Sequence, residues 1–246
     1  MAKKDETKEL VNWEDKLAAE AKDIAATERP SVSRISIRSG ILSYEDTPYP
    51  NNTLDCIVVN HAFENRWYDT DWDPDNIVPP RCFALAVAKE LLAPHENADP
   101  QAKNCSECPK SKWGSDPRPN SKGKACGEVR RLALIPYMPD ITAEAITQAE
   151  IALMNVPVTS VKNWSNYVNR VGAAYRRPPW AVITTIKVVP DQKTQFKVQF
   201  DSPKALDDEL LAALNAKRDS VVPALMQPYE KPAEPEEGVA PDSDKY

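Results

Sequence analysis

Residues 33–63 read SRISIRSGILSYEDTPYPNNTLDCIVVNHAF. Ile35 and Ile37 alternate with polar neighbours, the period-two pattern of a half-buried strand, and Gly40 marks a bulge or bend in it. DTPYPNN (46–52) has the composition of a turn. LDCIVVNHAF (54–63) is more continuously apolar and predicts a second, more buried strand. Together the two predict a hairpin that opens a β-rich body.

The pattern continues downstream. RCFALAVAKELL (81–92) reads as a strand running into a helical turn, and VRRLALIPYM (129–138) as a strand. ITAEAITQAEIALMNVP (141–157) begins as a short helix or turn and ends as a strand. PPWAVITTIKVV (178–189) and TQFKVQF (194–200) form a closing hairpin around PDQKT. Helices interrupt this body. Val161, Trp164, Val168 and Val171 keep helical spacing, with Thr159 or Ser160 as the cap, and that spacing puts Trp164 in the core. LDDELLAALNAKRDSVVPAL (206–225) is a final amphipathic helix. Upstream, Leu10, Trp13, Leu17, Ala21 and Ile24 give another over 5–27, ended by Arg29-Pro30. The sum is a mainly β, α+β chain, for which an OB-fold-like barrel of five or six strands is the leading architecture. The domain plan is an N-terminal helix (1–30), an OB-like body (31–203) with a cysteine-rich insertion (82–131), a C-terminal helix (204–228) and an acidic tail (229–246).

Composition bounds the function. Among 246 residues, 23 Pro against 6 Gly favour stiff, irregular connections over a helix bundle. No apolar run approaches a membrane span, and the charged start MAKKDETKEL is unlike a secretory signal. The expected setting is the cytoplasm, without membrane partners, where closely spaced cysteines read as metal or redox groups. The net charge of −6 is unevenly spread. Residues 230–246 hold six acids and two lysines; residues 103–131 hold eight basic and three acidic residues; residues 161–187 hold five basic residues and no acid. Basic patches in the body face an acidic tail, too polar and Pro-rich to fold.

The cysteine segment NCSECPKSKWGSDPRPNSKGKACGEVRR (104–131) carries the chemistry. Cys105-x2-Cys108 supplies two thiolates from one tight turn, and Cys126, between Gly123 and Gly127, a third. Zinc needs four ligands and takes thiolate well. The fourth is Cys82, after a Pro-Pro turn, or His95; Cys82 is preferred because four thiolates need no tautomer arrangement. Cys56 lies in an apolar strand and reads as a buried small hydrophobe. Redox chemistry fits poorly, since Pro109 follows the motif and no βαβ pattern surrounds it. The role of one structural zinc would be to fold a polar segment that has no hydrophobic reason to fold. That segment presents Lys110, Lys112, Arg118, Lys122, Lys124, Arg130 and Arg131, with Trp113 at its crest as a stacking plane or a lid on the metal. A second basic–aromatic run holds Lys162, Tyr167, Arg170, Tyr175, Arg176, Arg177 and Trp180, with Trp67 and Tyr68 as weaker candidates. Phosphate charge and base faces are what single-stranded nucleic acid offers everywhere. Asp69, Asp71 and Asp73 imitate a calcium loop, but proline occupies its sixth and twelfth positions, so a solvated loop is the better reading.

P-R-C-F-A (80–84), C-x-x-C-P-x-x-x-W-G-S (105–115), G-K-A-C (123–126) and R-R-L-A-L (130–134) resemble a family of bacteriophage single-stranded DNA-binding proteins. VPVTSVKNWSNYV (156–168) and RRPPWAVITTI (176–186) are similar to it as well, so the resemblance spans about residues 35–200. It implies an OB-like fold with a cysteine-rich insertion and favours Cys82 as the fourth ligand. The acidic tail with Asp242, Asp244 and the terminal Tyr246 is similar to those of phage replication proteins, which implies recruitment of replication or recombination partners; a solubilising tail is the plainer alternative. Gly127 and Glu128 depart from the basic character expected after Cys126 and weaken that end of the groove. The expectation is a non-enzymatic protein that coats single-stranded DNA with little sequence preference, and a homo-oligomer is compatible with it. The runner-up is a zinc-containing regulator or recombination accessory protein acting on other proteins. A metal-dependent nuclease ranks third, for want of a visible base.

Overall fold

The computed structural model describes Trp13, Lys16, Leu17, Glu20 and Ile24, then residues 32–71, 73 and 78–229, apart from the side chains of 202 and 203. The chain divides into two units, 1–32 and 33–246. In the first, the five described residues are helical, Trp13 and Leu17 are exposed, and Lys16 Nζ sits 5.0 Å over the Trp13 ring. Leu10 and Ala21 of the expected stripe lie outside the described residues, as do residues 230–246 of the tail.

In the second unit β1 (Arg34–Arg38) turns straight back into β2 (Ile41–Tyr44), with Arg38 opposite Ile41. Ser39 and Gly40 both have positive φ, 51° and 79°, the turn whose twist matches a hairpin. The expected partnership is corrected: residues 34–44 pair with each other, and Gly40 is their turn. Glu45 and Asp46, at φ 45° and 67°, repeat the device into β3 (Thr47–Pro48). The Asn52 amide then ties the hairpin, donating to Gly40 O at 3.0 Å and accepting from Leu42 N at 3.2 Å.

β4 (Thr53–Trp67) is the spine of the sheet. One edge pairs along most of its length with β6 (Gly127–Pro136). The other pairs with β8 (Val182–Asp191) over Thr53–Ile57 and with β5 (Cys82–Ala86) over Phe63–Trp67. The register slips between Val58 and Asn60, and such a bulge bends the strand between its two partners. β7 (Ala152–Val156) pairs antiparallel with β6 and parallel with β1, and β9 (Gln195–Ala205) closes a hairpin with β8. The order is β3-β2-β1-β7-β6-β4-β8-β9, with β5 beside β4. This is a mixed α+β fold on one large sheet. Among the described residues no ladder joins the two ends of that path, so the expectation of a five- or six-stranded barrel is corrected to a larger, open sheet. The sheet does curl: a Cβ on Gly40 would stand 3.5 Å from Phe196 on β9.

The described residues of this unit also form α1 (Ala143–Gln148), α2 (Val161–Tyr175), α3 (Asp208–Lys217) and α4 (Val222–Leu225); α2 and α4 pack on the sheet, and α1 and α3 pack on each other. Main-core residues such as Ile35, Leu42, Leu54, Leu132, Met154, Ile186 and Phe200 meet α2 through Trp164, Tyr167 and Val171. Val161 and Val168 of the expected stripe are partly buried against this core, and Tyr167 joins the stripe beside them. Its hydroxyl meets Thr184 Oγ1 at 2.7 Å, so a tyrosine can be buried there without an orphaned oxygen. Ser160 stands at the cap position, but its Oγ accepts from Val198 N at 2.9 Å instead. Arg131, alternating with Leu132, faces the other way, where its guanidinium donates to Leu225 O and Gln227 O. On that side Lys217 Nζ of α3 bonds Thr147 O of α1 at 2.9 Å. Leu214 and Leu225 are fully buried, each contributing about 2 kcal/mol. The single final helix expected over 206–225 breaks after Lys217 because Pro223 lies in the first turn of α4. Proline fits that position but not a helix interior.

Candidate nucleic-acid interface and thiol pocket

Cys82 opens β5, whose register sets it opposite Trp67. Cys105, Cys108 and Cys126 come from the connection between β5 and β6, and all four thiols line one pocket with Asn65, Trp67 and Lys110. The free space among them is about 10 Å³, the room of one water-sized body. Burial pushes the Cys82 and Cys105 thiols up, and each also feels the Cys108 sulfur. Cys126 is pushed up to about 12, by burial first and then by the other three sulfurs. His95 does not line this pocket; its ring stacks on Phe83 at 5.0 Å and its Nδ1 accepts from Asn97 N. Among the described residues no three metal-ligating side chains are gathered into a ready cage. Neutral thiols have nothing to draw them to about 2.3 Å from a common centre, whereas a divalent cation that displaces their protons does. Donor type, number and space fit one zinc ion.

The loop beyond the thiols is tied by its own hydrogen bonds as well. Ser115 Oγ donates to Lys110 O and accepts from Ala125 N, and Gly114 N donates to Gly123 O at 2.8 Å. Asp116 is buried, held by Arg118 Nη2 at 2.6 Å and Ser121 Oγ at 2.6 Å. The Arg118 guanidinium, then Ser121, keep its carboxyl well below the usual range. Trp113 projects from this frame 79 % exposed, with Lys124 Nζ 5.3 Å from its ring. Facing it are Val158, just ahead of α2, and Val161 and Lys162 at its start. Between the two lies a cleft of about 400 Å³, lined also by Arg118, Asp116 and Glu128. Lys124 pairs with Glu128 at 2.5 Å and Arg118 with Asp116, so of the cleft's cations Lys162 alone has no salt-bridge partner among the described residues.

The structure thus brings Trp113, Arg118, Lys124 and Lys162 together. Lys112 and Lys122 are exposed on the same loop, while Lys110 turns inward, 4.6 Å over Trp67. The structure places the other candidates away from this cleft. Arg130 is buried in β6 with its guanidinium 4.3 Å over Phe63. Arg131 is buried against Glu64, its Nε 2.8 Å from Glu64 Oε2. Tyr167 is core. Arg170 is held by Phe200 O and Asp201, and Arg177 donates to Leu206 O at 2.7 Å. Trp180 lies under the Arg218 guanidinium at 4.8 Å. Tyr175 and Arg176 are exposed but sit at the far end of α2, about 20 Å from Lys162 by helical rise. Asp242, Asp244 and Tyr246 lie outside the described residues. Tyr229, assigned to the tail, is docked instead: its hydroxyl donates to Glu64 Oε1 at 2.5 Å and its ring meets Phe83.

The sequence reading missed Glu64, Arg66 and Tyr229, which gave no local signal. It also passed over Arg34 and Arg38, whose alternation with isoleucine places them on one side of β1. No helix among the described residues is long and apolar enough to cross a membrane. No family model matches the chain, and no curated protein or solved structure matches it either.

Proposed function

We propose that this chain is a non-enzymatic single-stranded DNA-binding protein of the bacteriophage type, acting in the cytoplasm of the host during replication or recombination. The observation that carries this reading is Trp113. A largely exposed indole on a hydrogen-bonded loop, with Arg118, Lys124 and Lys162 around an open cleft, offers a base face and phosphate charge together. One structural zinc on Cys82, Cys105, Cys108 and Cys126 would hold the base of that loop. The finer fold assignment is OB-like. The order β7-β6-β4-β8-β9, with α2 between β7 and β8, follows the strand connectivity of a partly open OB barrel, and the β1–β2 hairpin would fill the gap between β7 and β9. The cysteine loop then takes the place of a binding loop between the first two barrel strands.

The test is salt-titrated binding of oligo-dT by the full chain, read by tryptophan fluorescence. Wild type should bind with quenching and weaken steeply with salt. Trp113→Ala should lose most of the quenching and about tenfold in affinity without a change in melting temperature. Absence of binding to any single strand would sink the reading. One observation favours a second reading, a protein-binding accessory factor: Arg118 and Lys124 are already neutralised by Asp116 and Glu128. A folded wild type that binds no oligo-dT at any salt concentration would point there.

A further inference from the structure

A second cleft opens at the same end of the sheet, about 290 Å³ in volume and lined by Arg34, Arg38, Arg66, Asn155 and Phe196 among others. Its lining carries three arginines and no carboxylate, whereas Asp116 and Glu128 stand beside the cations of the Trp113 cleft. Arg34 and Arg38 lie four apart on β1 and therefore on one side of the strand. Arg38 comes within 3.8 Å of Asp46, but the two side chains are 81 % and 88 % exposed, so water and salt screen the pair. Arg66 feels the charge of Glu64, but that carboxylate is already ion-paired with Arg131. One carboxylate cannot compensate both guanidinium groups.

The two clefts adjoin. Pro157 lines one and Val158, the next residue, lines the other. Gly127 lies at this junction: a Cβ there would meet Val158 Cγ2 at 3.0 Å and Arg66 O at 3.7 Å. Glycine keeps the saddle low enough for a chain to cross. We propose that the arginine cleft binds backbone phosphates of the same strand whose base stacks on Trp113. The strand then runs over Gly127 and across the ends of β6, β7 and β1. Asn155 and Ser36 supply polar groups beside the phosphates, and Phe196 supplies an apolar face for a sugar or base. This rests on the single-strand reading above and adds to it a path and a main source of charge.

The experiment compares full-length wild type with R34A/R38A, both positions being exposed, in salt-titrated oligo-dT binding. Losing two phosphate contacts should make the log–log salt slope shallower by about 1.4 and weaken low-salt binding about tenfold. R34K/R38K should retain the slope. Asn155→Asp, which adds a carboxylate without touching either arginine, should weaken binding in the same direction. Wild-type binding with affinity and slope unchanged in R34A/R38A and Asn155→Asp overturns the cleft and leaves the single-strand reading standing. Failure of wild type to bind overturns both.

Discussion

Glu64 is fully buried and holds together groups from three parts of the chain: Arg131 Nε at 2.8 Å, the Tyr229 hydroxyl at 2.5 Å, and Arg66 through charge. Burial works against the Arg131 cation, yet Glu64 and Tyr229 leave its pKa raised, so the ion pair persists inside. Deleting one side of such a pair strands the other. Glu64→Gln should therefore lower unfolding free energy by about 3 kcal/mol in urea titration, and Tyr229→Phe, which removes one hydrogen bond, by about 1 kcal/mol. An unchanged Glu64→Gln midpoint would show that the guanidinium groups find other partners. The same residues explain a misreading. Arg130 and Arg131 count as two surface cations in any charge tally, but consecutive strand residues face opposite sides. What awaits each side chain, Phe63 or Glu64, lies 67 residues upstream and leaves no mark beside them. The cysteines were legible because their spacing is itself the signal.

At the scale of elements, alternation located β1 and ran it on into β2 as one bent strand, apolar runs located β4, β8 and β9, and helical spacing located α2. What it missed was partnership. The sequence pattern pairs β1 with β4, but its ladders run to β2 and, in parallel, to β7, where Ile35 stands opposite Met154. Pairing across more than a hundred residues depends on burial that no local pattern carries. The turn that redirects β1 rests on Gly40 at φ 79°. Gly40→Ala puts a β-carbon into a left-handed conformation and should cost about 1–2 kcal/mol, seen as a lower melting temperature; its 3.5 Å approach to Phe196 is an ordinary contact and adds little. Ser39→Gly should be neutral or slightly stabilising. Equal losses from both substitutions would mean that something other than turn conformation is limiting. The cysteine loop stands apart from the main core, which contains none of Cys82, Cys105, Cys108 and Cys126. Chelation should remove about one zinc per chain and weaken oligo-dT binding while the sheet's cooperative transition persists. Cys82→Ser should reproduce this and His95→Ala should not; retention of zinc by Cys82→Ser would reassign the fourth ligand.

Over the whole molecule, charge is arranged in opposition. The clefts hold Arg34, Arg38 and Arg66 in one and Arg118, Lys124 and Lys162 in the other, and residues 230–246 carry six acids and two lysines. Those 17 residues start from a fixed point, since Tyr229 is pinned to Glu64. Fully extended they reach at most about 60 Å. A tethered acidic segment competes with a strand for the same cations at an effective concentration set by its length, and salt screens that competition. Truncation after Tyr229 should therefore tighten oligo-dT binding about tenfold at low ionic strength, with the gain shrinking as salt rises past the Debye regime. R34A/R38A in the truncated background separates the sources of that gain. If the tail lies in the arginine cleft, the double substitution should abolish most of the gain. If it lies against Lys112 and Lys122, the gain should survive. A truncated chain with unchanged affinity at every salt concentration would assign the tail to other proteins and leave the clefts uncontested.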